Sequence, residues 1–340
     1  MRKRGFARNL VANGLNMQPS ICWLTDTLGT STLPPAKPGE SLLTAFRFGY
    51  RAGQSGDFAL DLSSLYPHLE RWHALGQLKC GHLGAAAFVA DDEFMLAELI
   101  LHEDEGGGLI RTSTDAYKRI AEYSAASLHP HILRIWAYFS AINYGVGDSE
   151  RYKQFCFGRQ RALDGRQIGA DPAATVIGRV GSASPWLHIV WLSAKRAGMA
   201  VDNPRQTKPA KYGRVFGPEP PRFSRGMLGF SARGTVLLIS GTASVVGEES
   251  VHAGDLARQF EECAVNLEAV LAQACFQINS SAQFGRASVF RVYVRDETRQ
   301  FDAAVMMQKR FPEVSFCIIA GEICRAELLI EIEAVHHFSK

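Results

Sequence analysis

The last third of the chain most constrains the fold, because apolar runs of strand length alternate there with helical periodicity. Residues 235–245, TVLLISGTASV, predict a buried strand that runs into a turn. Residues 255–276 predict a helix with one apolar stripe, formed by Leu256, Phe260, Cys263, Leu267, Val270 and Leu271. Strands are predicted within 287–296, 315–324 and 326–335, with a short helix over 301–311. This order predicts an α+β fold, in which helices cover one face of a mixed sheet.

The length of 340 residues exceeds what one hydrophobic core usually organises, so we predict two domains. Residues 1–165 are expected to form an α+β companion domain, and residues 166–340 the domain that carries the chemistry. Segments 173–181 and 187–195 alternate like two paired strands of this second domain. The glycine run within 103–110, EDEGGGLI, predicts a hairpin turn, since a phosphate-binding loop would need a Gly-Lys-Ser/Thr ending.

Composition indicates a globular protein, and its modest positive charge is compatible with a small anionic substrate. Hydrophobic residues make up 46% and charged residues 21%, and a net charge of +3 gives no case for binding nucleic acid or a membrane surface. No apolar run is long enough to span a membrane, and residues 1–15 lack the apolar core of a secretory signal. Seven cysteines without a C-x-x-C pair favour reduced thiols and a cytoplasmic location. No metal-ligand spacing appears, so neither a metal nor another cofactor is expected.

The segment ERYKQFCFGRQRAL, residues 150–163, places a cation on an apolar helical stripe. Tyr152, Cys156, Arg159 and Leu163 fall at i, i+4, i+7 and i+11. Tyrosine and arginine often lie at the rim of a core with their polar tips in water. The alternative is that Arg159 is buried in order to bind an anion.

Two carboxylates share one face of the last predicted strand, LLIEIEAV. Alternation puts Glu331 and Glu333 on the face opposite Ile330 and Ile332. If that face is buried, desolvation raises a carboxyl pKa towards the value that a general acid needs near neutrality. If this is an edge strand, both carboxylates are simply exposed.

Three features of the C-terminal part resemble the RidA/YjgF family over about 225–336. They are SGTAS at 240–244, the helix Q-x(6)-NLEAVL at 259–271, and the closing LLIEIEA. The resemblance implies a small α+β domain with a ligand cleft, often found in trimers. For this chain a monomer and a trimer both remain open.

A broader resemblance, to the chorismatase family, covers about 130–336. It rests on RIWAYFSAIN, ERYKQFCFGRQRAL, VDNPRQ, KYGRVFGPEPPRFSR, SGTASVVG with His252 downstream, and CRAELLIEIEA, in this order. Ala137 stands where the family often has asparagine, and Lys153 where it has arginine. Members of this family cleave chorismate and carry a RidA-like C-terminal half.

The resemblance implies a substrate site and an acid. Chorismate is a dicarboxylate, so Tyr152 with Arg159 and Tyr212 with Arg225 are expected to bind its two carboxylates. Glu331 is expected to protonate the methylene carbon of the enolpyruvyl ether. An oxygen nucleophile then captures the resulting cation, and pyruvate leaves.

The expected product is hydroxybenzoate, either 3-hydroxybenzoate alone or with 4-hydroxybenzoate. Gly241 in SGTAS and Cys324, seven residues before the acid, resemble the members that aromatise the ring, whereas alanines tend to occupy these positions in members that release a dihydroxycyclohexadiene carboxylate. Cys324 could also be a packing residue only. A diol-forming chorismatase, a RidA-type imine deaminase and a non-catalytic small-molecule binding protein are the alternatives.

Overall fold

The computed structural model describes residues 25–26, 40–48, 58–59, 62–64, 68–75, 77–163, 170–181, 184–232 and 234–338. The expectation that residues 1–15 are not a secretory signal lies outside the described residues. Within them, none of the helices combines the length and hydrophobicity needed to cross a membrane.

Four short strands at the N-terminus form a small sheet of order β1-β4-β2-β3. Its strands are β1 (Thr25–Asp26), β2 (Glu40–Phe48), β3 (Phe58–Ala59) and β4 (His68–Leu75). Phe46 and Trp72 from this sheet are fully buried in a core shared with the two larger sheets. This small sheet therefore contributes directly to the main core.

The first large sheet has six strands in the order β5-β6-β7-β10-β8-β9. Its elements are β5 (Lys79–Leu83), β6 (Ala86–Ala90), β7 (Phe94–His102), α1 (Glu103–Gly106), α2 (Leu109–Ala126), β8 (His131–Ser140), α3 (Arg151–Leu163), β9 (Ala173–Arg179) and β10 (Trp186–Ala194), with a 3₁₀ turn at Gly147–Ser149. Only β8 and β9 pair in parallel, as expected for strands joined by a helical crossover. Helices α2 and α3 cover one face of the sheet.

The second large sheet repeats this topology, in the order β11-β12-β13-β18-β16-β17. Its elements are β11 (Met199–Val201), β12 (Gly226–Ser231), β13 (Gly234–Ala243), a ribbon of β14 (Val245–Val246) and β15 (Glu249–Ser250), α4 (Leu256–Gln277), β16 (Ser288–Val294), α5 (Gln300–Arg310), β17 (Ser315–Ala320) and β18 (Ile330–Phe338), with 3₁₀ turns at Pro209–Lys211, Arg214–Phe216 and Glu297–Arg299. The six predicted stripe residues of α4 are buried. Helices α4 and α5 pack on one face of this mixed sheet, which confirms the predicted α+β class.

The two large sheets pack face to face, and their helices lie on the outside. Apolar side chains of both sheets meet in one core, as Trp136 and Val190 do with Leu238 and Val335. The chain thus forms four layers, helices, sheet, sheet and helices. Any polar side chain on the inner face of either sheet is consequently removed from water.

Three local expectations differ from the structure. Segments 173–181 and 187–195 do not pair with each other, because β9 pairs with β8, and β10 lies between β7 and β8. Both belong to the first sheet, so the chain changes sheet between Ala194 and Met199, whereas the sequence placed the domain boundary after 165. The glycine run joins α1 to α2 and is not a hairpin, since Gly107 adopts a left-handed conformation that ends α1.

Candidate active site

The main cavity opens where α3, the segment before β12, the end of β13 and the start of β18 meet. Its volume is about 350 Å³, within the range of small-molecule sites. Six of the seven predicted site residues line it: Tyr152, Tyr212, Arg225, Gly241, Cys324 and Glu331. Tyr152 and Glu331, which are 179 positions apart in sequence, are thus brought to one cavity.

Glu331 is a buried carboxyl at the start of β18, with only 5% of its surface exposed. β18 lies between β13 and β16, so the edge-strand alternative is wrong. Burial, and next the charge of Glu333, raise the pKa of Glu331 to about 8, although Arg134 and Arg295 act in the opposite direction. At neutral pH the side chain therefore carries a proton that it can donate into the cavity.

Gly241 makes room for the carboxyl of Glu331. It lies in an irregularity of β13, where the pairing with β18 shifts between Ile239 and Thr242. A Cβ atom on Gly241 would overlap an oxygen of the Glu331 carboxyl and come within 2.8 Å of its Cδ. The absence of a side chain here is what lets the acid lie against the strand.

Glu333 has a different environment from Glu331, although both leave the same face of β18. Its carboxylate accepts hydrogen bonds from Arg134 Nη2 at 2.6 Å and from Trp136 Nε1 at 2.8 Å, and lies 3.1 Å from Arg291 Nη1. The hydroxyl of Thr175 also bonds it. Glu333 thus lies in an ion-paired, hydrogen-bonded network behind Glu331 and does not line the main cavity.

The buried ion pairs around Glu333 contain equal numbers of acidic and basic side chains. Arg291 also forms a two-point contact with Glu70 of the N-terminal sheet, whose side chain has no exposed surface. Arg134, Arg291, Glu70 and Glu333 together carry no net charge, which limits the cost of burying them. Sequence reasoning missed these partners. The available signal was an arginine inside an apolar run of strand length, in RIW and in FRV.

Arg225 and Tyr212 form a pair on the wall of the cavity. Arg225 Nη2 donates to the Tyr212 hydroxyl at 2.7 Å and to the Thr207 carbonyl at 2.9 Å. The guanidinium also lies 5.2 Å from the centre of the Phe223 ring. Arg225 is 6% exposed, and its Nε has no hydrogen-bond partner among the residues that the structure describes. A nearly buried cation with an unused donor suits a ligand carboxylate.

Cys324 and Tyr152 provide uncharged walls. Burial, and next the charge of Glu331, raise the pKa of the Cys324 thiol to about 12. Burial likewise raises the pKa of Tyr152 well above its ordinary value. Both side chains are therefore neutral near pH 7, and Cys324 is not a ready thiolate nucleophile.

Arg159 is the predicted site residue that does not line the main cavity. Its Nη2 lies 3.7 Å from Cys156 Sγ, and its guanidinium sits near the rings of Tyr117 and Phe155. It lines a separate cavity of about 30 Å³. Only 2% of the residue is exposed and its Nε is unpaired; within the described ranges, no carboxylate forms an ion pair with it. The rim interpretation is wrong, since this cation is fully inside.

In the described part of the chain, no group of three or more His, Cys, Asp or Glu side chains could hold a metal ion. The polar side chains that line the cavity with Glu331 include Arg225, Arg325, Tyr152 and Tyr212, which suit an organic anion.

Comparisons with known proteins identify relatives of this chain. The family model described as "Chorismatase FkbO/Hyg5-like, N-terminal" matches residues 70–193. A chorismatase of Streptomyces rapamycinicus is 31% identical over 275 residues, which cover 78% of this chain and 81% of that protein. A 3-hydroxybenzoate synthase of Streptomyces hygroscopicus is 28% identical, over 79% of this chain and 81% of that protein.

One solved structure gives the same picture for the fold. A crystal structure of a chorismatase has a TM-score of 0.80 and 24% identity, covering 94% of this chain and 100% of the solved one. A YjgF/YER057c/UK114 family member from Mycobacterium tuberculosis covers 34% of this chain, with a TM-score of 0.27 and 22% identity. The identity to the Streptomyces rapamycinicus relative, extending over most of both sequences, shows that this chain belongs to the chorismatase family.

Proposed function

We propose that this chain cleaves the enolpyruvyl ether of chorismate, giving pyruvate and hydroxybenzoate, chiefly 3-hydroxybenzoate. The observation that carries the proposal is a neutral carboxyl, Glu331, in a 350 Å³ cavity that also holds the nearly buried cation Arg225. The names of the relatives, chorismatase and 3-hydroxybenzoate synthase, support the same activity.

In the proposed mechanism, the cavity first fixes the substrate. Arg225 and Tyr212 bind one carboxylate of chorismate, and Tyr152 contributes its ring and hydroxyl to the opposite wall. Holding the enolpyruvyl methylene within reach of Glu331 matters, because protonation of carbon is slow unless donor and acceptor are aligned. The substrate itself displaces water from the cavity, which keeps Glu331 desolvated and protonated.

Glu331 then transfers its proton to the methylene carbon. The resulting oxocarbenium centre is captured by an oxygen nucleophile, the ether bond breaks, and pyruvate leaves. Where that oxygen comes from water, the ring must afterwards lose one hydroxyl and one hydrogen as water to become hydroxybenzoate. The Glu331 carboxylate formed in this step sits near the positive charges of Arg134 and Arg295, which stabilise it. Pyruvate and hydroxybenzoate together contain all the atoms of chorismate, so this outcome consumes no net water, whereas the diol outcome adds one water.

The direct test is to incubate the purified protein with chorismate and to measure pyruvate, with chromatography of the ring product. Pyruvate with hydroxybenzoate supports the proposal, and pyruvate with a dihydrodiol supports the hydrolytic alternative. Release of ammonia from imine substrates without cleavage of chorismate would support a deaminase. Binding of chorismate without any turnover would support a binding protein.

Cys324→Ala should shift the products from hydroxybenzoate towards the dihydrodiol. The thiol lines the cavity beside the acid, and a smaller side chain leaves space that one water can occupy next to the reacting centre. The measurement is the ratio of the two ring products after complete turnover. Cys275→Ala, a buried cysteine of α4 outside the cavity, is the control, and an unchanged ratio in both variants would refute a role for Cys324 in product choice.

Arg159→Met should weaken chorismate binding without destabilising the fold. Arg159 does not line the main cavity, so we propose that it assists binding of the second substrate carboxylate through Tyr152, which lines that cavity and is influenced by the charge of Arg159. Calorimetric binding in a Glu331→Gln background, where turnover is suppressed, gives the affinity, and thermal denaturation gives the stability. Unchanged affinity would show that Arg159 serves only its own small cavity.

A further inference from the structure

The hydroxyl of Thr175 connects the first sheet to the surroundings of the acid. Thr175 lies on β9 and is 2% exposed. Its Oγ accepts a hydrogen bond from the Gly241 amide at 2.9 Å and one from Arg134 Nη2, and it donates its own proton to Glu333. One donor and two acceptor positions are all that a hydroxyl has, so every one is used.

The first of these bonds fixes the backbone against which Glu331 lies. The amide of Gly241 points to Thr175, and the neighbouring Ala174 amide donates to Ser240 Oγ at 2.9 Å. These two bonds hold the irregular part of β13 in place. A Cβ on Gly241 would lie 3.1 Å from Thr175 Oγ and overlap the Glu331 carboxyl, so the hydroxyl and the acid share the same small space.

Because the Gly241 amide is committed to Thr175, it is not available to the acid. Within the described ranges, no hydrogen bond reaches the Glu331 carboxyl. A backbone N–H donated to a carboxylate favours its ionised form, so withholding this donor favours the neutral acid.

The second effect acts through Glu333. Thr175 and Arg134 both bond the same oxygen of Glu333, which keeps its carboxylate oriented next to Glu331. The negative charge of Glu333, two residues further along the same strand, also favours the protonated form of Glu331. Both effects of the Thr175 hydroxyl therefore favour the protonated form of Glu331.

We propose that Thr175 is a positioning residue for Glu331. Its hydroxyl binds the Gly241 amide, which therefore does not donate to Glu331, and it also holds the Glu333 carboxylate beside Glu331. Glu331 consequently keeps its proton until substrate is bound. This inference rests on the proposed role of Glu331. The other titratable or charged groups packed near Glu331 are Arg134, Cys263, Tyr293 and Arg295. Those on the cavity wall that it faces are Glu150, Tyr152, Lys153, Tyr212, Arg225, Cys324, Arg325 and Glu327.

Thr175→Val keeps the shape of the side chain and removes the hydroxyl, and Thr175→Ser keeps the hydroxyl. In the valine variant the Gly241 amide is free to bond Glu331, and Glu333 loses one donor, so Glu331 should lose its proton at lower pH. The pH at which kcat/KM falls on the alkaline side should drop by about one unit. The loss of kcat/KM should therefore be small near pH 6, about fivefold near pH 8 and close to tenfold near pH 9, and Thr175→Ser should behave like wild type.

A merely structural role would lower kcat/KM equally at all pH values, or lower the melting temperature of both variants alike, and either result would overturn the proposal. If Thr175→Val does not fold, Thr175→Ala should show the same alkaline shift. A titration of the Glu331 carboxyl by carbon-13 NMR in the substrate-free protein decides the point independently of turnover. An identical Glu331 pKa in wild type and in a folded variant without the hydroxyl would refute the role of Thr175, whereas failure to cleave chorismate would refute only the proposed function.

Discussion

Glu331→Gln should reduce kcat for chorismate cleavage by about two to four orders of magnitude while chorismate still binds. Glutamine keeps the size and hydrogen-bonding capacity of the side chain and removes the transferable proton. The carboxyl lies in the cavity against Gly241, where glutamine can fit in the same position. Single-turnover kinetics would measure the chemical step, and calorimetry with chorismate would measure binding.

The same variant should change how stability depends on pH. Folding raises the pKa of Glu331 from its ordinary value near 4.5 to about 8. Between these values the folded protein holds a proton that the unfolded chain has released, so folding becomes less favourable as pH rises through this window. Glutamine does not titrate, and Glu331→Gln should therefore gain melting temperature relative to wild type at pH 8.5 compared with pH 5.

The matched control is Glu297→Gln, which removes an exposed carboxylate outside the cavity. It should leave kcat near the wild-type value. Normal turnover by Glu331→Gln would exclude Glu331 as the acid. A large loss of chorismate affinity in that variant would assign it to binding and leave the proton donor unidentified.

The sequence predicts those features of the fold that depend on local periodicity. The stripe of α4 and the alternation of β18 were both predicted, because each depends on residues only a few positions apart. The prediction also put Glu331 and Glu333 on one face. The prediction could not distinguish the surroundings of the two carboxylates, because the residues that surround Glu333 come from other strands.

The partners of Glu333 could not be predicted in this way. Arg134 and Arg291 come from strands of two different sheets, and Glu70 comes from a third. Which inward-facing arginine meets which carboxylate depends on how the sheets stack, and no short sequence window contains that information. For the same reason, the sequence pattern could not assign β9 to the first sheet.

The helical stripe of 150–163 shows the same limit within one element. Its spacing correctly put Tyr152, Cys156 and Arg159 on one face, but that face borders two cavities. Tyr152 lines the larger cavity and Arg159 the smaller one. Arg225, which lies in a segment without any secondary-structure period, nevertheless lines the main cavity.

Arg225→Ala should therefore give the largest loss of substrate affinity among single substitutions of the cavity wall. The guanidinium is 6% exposed, and its Nε has no partner within the described ranges. Removing one partner from a buried, hydrogen-bonded charge pair costs roughly 2–5 kcal/mol. This corresponds to a fall in kcat/KM of about 30-fold to several-thousand-fold, expressed mainly in KM.

Arg225→Lys separates charge from geometry. An ammonium keeps the positive charge but cannot bond the Tyr212 hydroxyl, the Thr207 carbonyl and a substrate carboxylate with one planar group, so it should recover only part of the loss. Arg214→Ala, which removes an exposed arginine of the same segment paired with Asp148, should leave KM within about twofold, since exposed ion pairs contribute little. Wild-type KM in a folded Arg225→Ala variant would show that chorismate does not use this cation, and equal losses in both alanine variants would attribute the effect to the segment as a whole.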